Sequence, residues 1–344
     1  MAISCGPWST ISYGKTNSSD RNSFRRMKKA IWITWENQIR NRSMATLLGA
    51  DLFVFAHKGS RLKRYIRCSS DTIKAIYNNH PDVVFAQNPS IFLNYLLIFI
   101  RPIFKFKLVS DAHFGGVIDF IGSSLFQRAL DTCNRLVDMV IVTNKAHEEH
   151  IRSIGGNALV CEDPLPDLTD YNSSVTEIDK MILFICSFDI DEPYALVLDA
   201  APLLQKDGFK IQITGNYSKI NIEPANYPYV HFLGYLPEDA FYEKLFQASV
   251  ILDLTSHENC LVCGAYEAMA AEKPLVTSDR LCLREYFQAG TVFTEHEDDK
   301  LIDAIKSAYI NRDKMKLEIR NWKHRIIIEQ TQKGKAIRST LELE

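Results

Sequence analysis

Short runs of β-branched and aliphatic residues alternate with longer amphipathic segments along the chain from residue 30 onward. This alternation is typical of parallel sheets whose strands are joined by crossover helices. In the first half of the chain the pattern predicts strands at residues 31–35, 52–56, 83–87, 107–111, 139–143 and 158–162. Strands connected in this way predict one doubly wound domain over residues 30–164.

A proline-rich stretch interrupts the alternation before it resumes in the second half of the chain. Its prolines and turn-forming residues predict a linker over residues 165–178. A second α/β domain is predicted over residues 179–312, with strands at 181–186, 210–214, 229–232, 250–254, 274–277 and 291–293 and helices at 238–247, 264–272 and 298–310. Residues 313–344 are predicted to contain a last, basic amphipathic helix at 315–328. Two such domains in tandem would enclose a cleft between strand carboxyl ends, where open sheets bind ligands.

Composition narrows the class of protein. The 344 residues, 46% of them apolar, suffice for two cores, and a net charge of −2 gives no reason to expect nucleic acid as the main partner. Residues 1–29 are rich in Ser, Asn, Arg and Lys and are predicted to be a mobile extension. The eight cysteines are scattered and follow no secretory signal, which predicts reduced thiols in a cytoplasmic protein. The longest apolar run, 91–100, is about half of a bilayer span, so no transmembrane helix is predicted.

One segment of the second domain holds the only Cys-x-x-Cys of the chain, formed by Cys260 and Cys263. A closed zinc site takes four ligands, and although His257 could add a third, no second cysteine pair exists in the sequence. We therefore predict no metal site and expect these thiols to pack behind a ligand-binding loop.

A helix predicted to begin near Gly264 offers a different chemistry. Its free backbone N–H groups and positive dipole end would face an anion, and a glycine would let a phosphate approach the backbone closely. One turn further along, Glu267 shares a face with small residues, and its carboxylate can accept two hydrogen bonds from a vicinal diol such as a ribose. The segment therefore favours a nucleoside diphosphate over a metal ion.

The same segment resembles the donor signature of GT-B glycosyltransferases, specifically those like glycosyltransferase family 4. The matching residues are Glu267-Ala-Met-Ala270, followed by Lys273-Pro274 and an apolar strand. A looser similarity covers residues 30–310. The resemblance implies two Rossmann-like doubly wound domains that face a cleft, and metal-independent, retaining transfer of a hexose. It also implies a nucleotide-diphosphate-sugar as co-substrate and no cofactor.

Roles for single residues follow partly from this resemblance. Glu267 would hold the nucleotide ribose, the backbone of 259–264 the diphosphate, and His113, at a strand end, the transferred sugar. The predicted donor-binding residues are Glu267, Gly264, Cys263, Asn259, Leu236, Gly215, Lys145 and Arg284, and the predicted catalytic residues are His113, Asp111 and Glu258.

Strand ends of the first domain supply the acceptor-side candidates. Asp111 could act as a base toward the acceptor hydroxyl, although a carboxylate that caps a helix explains it equally well. Glu36 either meets the acceptor or favours the dipole of the helix that follows it. Asn88 is grouped with Glu36 as an acceptor-binding candidate.

The sequence departs from the family pattern at three places. Glu258 lies nine residues before Glu267 instead of eight, so the family's first glutamate corresponds either to Glu258, after a one-residue loop insertion, or to a position that Asn259 occupies here. Glu272 stands where the family usually has glycine. Residues 187–193 present acids where the family commonly presents an Arg and a Lys for the leaving diphosphate. Lys145, Arg280 and Arg284 are the candidates for this electrostatic role.

Two features of the first domain bear on the acceptor. The basic cluster 61–67 and the apolar, cation-flanked stretch 91–107 are compatible with helices at a membrane interface or with buried crossover helices whose terminal charges are solvated. We therefore predict a glycosyltransferase of polysaccharide or glycoconjugate biosynthesis that uses a saccharide or lipid-linked acceptor. Its predicted location is the cytoplasm, with contact to the inner face of the membrane as one option. The alternatives are a nucleotide-sugar epimerase of the same fold and a catalytically degenerate binder of nucleotide or glycan.

Overall fold

A computed structural model describes residues 28–88, 90–119, 122–171 and 175–343. The extension predicted over residues 1–29 therefore lies outside the described residues, apart from Lys28 and Lys29. All further statements about the structure concern the described ranges.

The first domain is built on one six-stranded parallel sheet in the order β2-β1-β3-β4-β5-β6. Its strands are β1 Ala30–Thr34, β2 Asp51–Val54, β3 Val83–Asn88, β4 Lys107–Ala112, β5 Met139–Val142 and β6 Ala158–Val160. The helices between them are α1 Ile39–Leu48, α2 Arg61–Asn79, α3 Ile91–Phe104, α4 Phe114–Val117, α5 Ser124–Leu136 and α6 Lys145–Ser153. Apolar residues of α1 pack on one face of the sheet, and those of α2, α3 and α6 pack on the other.

The second domain repeats this plan with the strand order β12-β11-β10-β7-β8-β9. Its strands are β7 Met181–Phe184, β8 Lys210–Thr214, β9 Val230–Gly234, β10 Val250–Asp253, β11 Leu275–Ser278 and β12 Thr291–Thr294. The helices are α7 Tyr194–Lys206, α8 Glu238–Gln247, α9 Cys263–Ala270, α10 Leu281–Tyr286 and α11 Asp298–Ile310. The predicted fold class is confirmed, and every predicted strand lies within a few residues of an observed one.

The strand orders locate one crevice in each sheet. Connections leave the first sheet in opposite directions between β1 and β3, and they leave the second sheet in opposite directions between β7 and β10. Ligands of open α/β sheets bind at such switch points, beyond the carboxyl ends of the strands. The loops after β7 and β10 are therefore the structural candidates for a nucleotide site.

The last helix, α12, covers Arg312–Thr340 and joins the two domains. Near its start, Ile319 and Trp322 enter the core of the second domain. Near its end, Ile337 enters the core of the first domain, and Gly334 lies so close to Leu47 that a Cβ atom would come within 2.8 Å of it. The prediction of a helix at 315–328 was thus wrong in its end point, because packing on the first domain extends the helix.

Candidate active site

The loops after β7 and β10 meet at the switch point of the second domain. Acidic side chains of the first of these loops accept hydrogen bonds from neighbouring groups of the protein. After β7, the Glu192 carboxylate accepts hydrogen bonds from the backbone N–H groups of Ser187 at 2.8 Å and Asp189 at 3.1 Å. After β10, the Thr255 hydroxyl donates to Asp191 at 2.9 Å. The acids that the sequence places in 187–193 therefore hold this loop in shape.

The backbone N–H groups at the start of α9 also face an acidic side chain of the protein. The buried Asp253 side chain, at the end of β10, is approached by the backbone N–H groups of Gly264 and Ala265. Burial, together with the charges of Glu192 and Glu267, raises the pKa of Asp253 well above its ordinary value. The helix N-terminus therefore stabilises an internal carboxyl group before any ligand binds.

Glu267 lies in the second turn of α9 and is only partly accessible to solvent. Burial, and to a lesser degree the charge of Glu238, raises its pKa to about 8. Its side chain makes no hydrogen bond or ion pair with another described residue, and it is therefore available to a polar ligand. An ionised carboxylate accepts hydrogen bonds from the hydroxyl groups of a diol, and a protonated carboxyl group can also donate one. Glu267 can therefore bind a diol in either protonation state.

The segment between β10 and α9 adds unused donors beside this carboxyl group. The backbone N–H groups from residue 258 to residue 262 donate no hydrogen bond to another described residue. Backbone amides without an internal acceptor are suited to the oxygens of a phosphate. The segment thus pairs an anion-binding backbone with a diol-binding side chain.

On the first domain, His113 lies directly after β4 and precedes α4. Its Nε2 is 3.5 Å from the Asp111 carboxylate, and it makes no hydrogen bond to another described residue. Burial, followed by the nearby Arg40 charge, lowers the pKa of His113, which favours the neutral imidazole. His113 therefore has a buried, uncommitted Nε2 atom at a strand end, on a side chain that is partly exposed.

Contacts across the cleft bring the two sets of strand ends together. The Phe114 ring stacks on His257 of the second domain, with 4.4 Å between the ring centroids. Asn144, after β5, donates to the carbonyl oxygen of Asn259 at 2.9 Å. The residue next to His113 thus touches the loop that leads into α9, so that both halves of the candidate site face one another.

Comparison with known proteins decides the class of the second domain. Residues 179–311 match the family model described as glycosyl transferases group 1. The second domain is a group 1 glycosyltransferase domain. No curated protein sequence matches the chain.

Solved structures place the whole chain in the same fold. HepE from Anabaena, crystallised with UDP and glucose, is 14% identical, covers 92% of this chain and 99% of its own, and has a TM-score of 0.67. Sucrose-phosphate synthase from Thermosynechococcus elongatus is 14% identical over 92% of this chain and 100% of its own, with a TM-score of 0.71. The UDP-GlcNAc 2-epimerase of Methanocaldococcus jannaschii is 12% identical over 82% of this chain and 92% of its own, with a TM-score of 0.54. The family match therefore covers the second domain, and the solved structures show that the two domains together have the GT-B fold.

Within the second domain, two predicted donor residues have roles inside the fold. A Cβ atom at Gly264 would lie 2.6 Å from the Asp253 carboxyl oxygen, so the glycine makes room for Asp253, and its expected contact with a phosphate stays a prediction. Gly215 has a φ of +92°, and a Cβ there would lie 2.0 Å from the Cys186 carbonyl oxygen. Both glycines are required by the packing of the domain itself.

Two first-domain predictions need correction. The Asp111 side chain is fully buried, and its two oxygens accept from Arg40 at 2.5 and 2.9 Å, so no acceptor hydroxyl can reach it. Asn88 is also fully buried, and its Nδ2 donates to the Gly116 carbonyl oxygen at 3.2 Å, beneath the turn after His113. Glu36, by contrast, is exposed after β1 and can meet a ligand.

The three candidate cations differ in the contacts that they already make with other side chains. Arg284 pairs with Asp279 and lies over the Phe293 ring, 4.7 Å from its centroid, which draws it away from a diphosphate. Arg280 is 3.3 Å from Glu258, a mostly exposed side chain. Lys145 is exposed at the start of α6 and has no ion pair with another described residue. Lys145 is therefore the most available of the three.

The remaining predicted residues lie around the loop ends of the second domain. Leu236 is partly buried in the connection between β9 and α8. Cys263, the first residue of α9, is exposed, whereas the expectation was a packed thiol; Cys260 is partly buried. Among the described residues, no group of three or more His, Cys, Asp or Glu side chains is arranged to hold a metal ion.

Sequence reasoning missed three residues of the site. Arg40 pairs with Asp111 and also with Asp163 in the segment between the domains. His257 contributes its ring to the cleft contact. Lys219 donates to the Ser187 carbonyl oxygen at 3.1 Å and to Asp189 at 3.2 Å, which places a cation on the loop after β7. Only His257 carried a signal, since it adjoins the donor segment in the sequence.

Proposed function

We propose that the protein transfers a sugar from a nucleotide-diphosphate-sugar to a saccharide or lipid-linked acceptor during assembly of a polysaccharide or glycoconjugate. The observation that carries the proposal is the Glu267 carboxyl group beside the unused backbone N–H groups of 258–262, at the switch point of a glycosyltransferase domain. Structures of similar proteins contain UDP or UDP-glucose, which makes a UDP-sugar the first donor to test.

In this proposal each half of the cleft has one task. The second domain binds the donor, with Glu267 on the ribose diol and the 258–262 backbone on the diphosphate. The first domain presents His113, whose neutral imidazole exchanges a hydrogen bond with a hydroxyl group of the sugar. The Phe114–His257 contact closes the cleft and excludes water that would otherwise hydrolyse the donor.

The leaving diphosphate needs positive charge, because electrostatic stabilisation of developing charge is usually the largest catalytic contribution. Lys145 supports this role best, since it is exposed beside the cleft contact at Asn144 and is unpaired within the described ranges. Lys219 would first have to leave Asp189. We further propose that the transferred sugar is a hexose, that its configuration is retained, and that no resident cofactor takes part.

A nucleotide-sugar epimerase is the second candidate, since one epimerase shares the fold at a TM-score of 0.54. A degenerate binder of nucleotide or glycan is the third. Product analysis of a reaction with a UDP-sugar, with and without oligosaccharide or lipid-linked acceptors, separates the three. A transferase joins the sugar to an acceptor and releases UDP, an epimerase yields an altered UDP-sugar without an acceptor, and a degenerate binder yields no product. An altered UDP-sugar, or no product with any acceptor, would contradict the proposal.

A further inference from the structure

Helix α2 carries a second apolar stripe that faces away from the protein. Its inner face, which includes Cys68 and Ile76, packs into the core of the first domain. The outer face exposes Leu62, Ile66, Ile73 and Tyr77. At 3.6 residues per turn these four positions fall within about 60° of the helix surface, so they form one stripe. A core helix needs only one apolar face, and the outer stripe is therefore unexplained by the fold.

Helix α3 repeats this arrangement beside α2. Phe92, Phe99 and Ile103 are exposed, and their spacing places them on one side of the helix, opposite the buried Leu93 and Leu97. Phe99 is 79% exposed and Ile103 is 71% exposed. The core does not require an apolar side chain at either position.

The two stripes belong to one surface. The inner faces of both helices enter the same core cluster, so both outer faces point away from the same side of the sheet. The rings of Tyr65 and Phe92 lie 4.8 Å apart and join the two helices. We call this surface the α2–α3 face, defined by the exposed residues Leu62, Ile66, Ile73, Tyr77, Phe92, Phe99 and Ile103.

Residues 61–107, which contain both helices, are more basic than the chain as a whole. Residues 61–107 contain eight Lys and Arg and only two acids, Asp71 and Asp82, whereas the whole chain has a net charge of −2. Five of these cations are exposed and form no ion pair with another described residue: Arg61, Lys63, Arg64, Arg67 and Lys105. Unpaired cations that border exposed apolar side chains match the chemistry of an anionic lipid surface, with head groups around the charges and acyl chains below the apolar residues.

We propose that the α2–α3 face docks the protein on an anionic lipid bilayer, with Leu62, Ile66, Phe99 and Ile103 inserted at the interface and the bordering cations on the head groups. The docking is peripheral, as no described helix has the length and apolar character to span a membrane. It does not depend on sugar transfer, but it would hold the acceptor-side domain at the surface where a lipid-linked acceptor resides.

Vesicle flotation of the full chain tests this proposal. We expect the protein to float with phosphatidylcholine vesicles that contain about 30 mol% phosphatidylglycerol, at least about fivefold more than with phosphatidylcholine alone. Binding should weaken in about 0.5 M NaCl, because salt screens the cations. Phe99→Ser combined with Ile103→Ser should lower the bound fraction at least about fivefold, and Lys63→Glu with Arg67→Glu should do the same.

The matched controls are Ile310→Ser and Leu317→Ser, which remove exposed apolar side chains from the second domain and α12. They should float like the wild type. These comparisons are necessary because residues 1–29 also carry Lys and Arg. The proposal is overturned if wild type stays unbound, or if the α2–α3 variants float as well as the controls. It is equally overturned if those variants change only the oligomeric state in vesicle-free buffer, which would assign the face to a second copy of the chain.

Discussion

Gly264 shows how packing can require a residue that the sequence singles out for ligand binding. The sequence places it at the start of α9, where a glycine suggests close approach of a phosphate. In the structure the closest neighbours of a Cβ atom at this position would be Asp253, at 2.6 Å, and Ile185, at 2.8 Å. A sequence cannot reveal this, because the two neighbours come from β10 and from the residue after β7.

Gly264→Ala should therefore destabilise the protein by about 1–3 kcal/mol, since the added methyl group overpacks a buried site. Urea unfolding without nucleotide measures the loss. Cys263→Ala, an exposed change on the same helical turn, should stay within about 0.5 kcal/mol of wild type. Equal stabilities for Gly264→Ala and wild type would show that the site has room for a ligand as first expected.

Glu267 makes stability depend on pH. Its pKa is raised from 4.5 to about 8, mainly by burial. The folded state therefore keeps a proton that the unfolded chain releases, and the contribution of Glu267 is full below the unfolded pKa and is lost as pH rises through about 8. The free energy of unfolding of Glu267→Gln, which cannot ionise, should rise relative to that of wild type by about 4 kcal/mol between about pH 5 and pH 9.

Denaturant unfolding at several pH values checks this prediction. The control is Glu285→Gln, which changes an exposed glutamate on α10 and should follow wild type at every pH. Parallel pH profiles for Glu267→Gln and wild type would mean that the Glu267 carboxyl group ionises in the folded protein as freely as in water.

At the scale of elements, α1 connects the strand end that bears the site to the segment between the domains. Arg40, on α1, is buried and pairs with Asp111 of β4 and with Asp163 beyond β6. Although burial opposes its charge, the two carboxylates raise the pKa of Arg40. The Asp163 carbonyl oxygen also accepts from Gln330 of α12 at 2.6 Å. The ion pairs of Arg40 thus connect the first domain to the segment between the domains, and this segment in turn contacts α12.

Arg40→Met should cost about 3–5 kcal/mol of stability, because it leaves the Asp111 carboxylate buried without its partner. The double variant Arg40→Met/Asp111→Leu should recover most of that loss, since both charges are then removed together. Thermal and urea unfolding measure both. If the double variant is no more stable than Arg40→Met, the unpaired charge is not the cause of the loss.

Elements were predictable to different degrees, for physical reasons. The elements β8, α8 and α11 have the predicted bounds, because a short β-branched run marks the strand and amphipathic segments mark the two helices in the sequence. The end of α12 was missed because its last turns are mostly polar and contain Gly334, and their packing on the first domain through Gly334 and Ile337 depends on tertiary structure. Glu272 retains the left-handed turn expected of a glycine, at φ +55°, while pairing with Arg320.

At the scale of the molecule, the sequence predicted the fold class with its two parallel sheets, whereas donor binding by Glu267 stays a prediction. It did not predict the contacts that close the cleft, Phe114 on His257 and Asn144 on Asn259, because these depend on how two separately folded domains dock. The burial of Asp111 and Asn88 was equally hidden, since both lie at strand ends where either orientation is possible. Tertiary packing therefore decided which of the polar strand-end residues remain available for chemistry.

The most direct test of the account is the rate of nucleoside diphosphate release from a UDP-sugar in the presence of acceptor. We expect release by wild type, and a loss of at least about tenfold in Glu267→Ala and in His113→Ala. The exposed change Glu285→Gln should leave the rate unchanged. Release at the wild-type rate by a folded Glu267→Ala protein would contradict the central claim that this carboxyl group binds the donor.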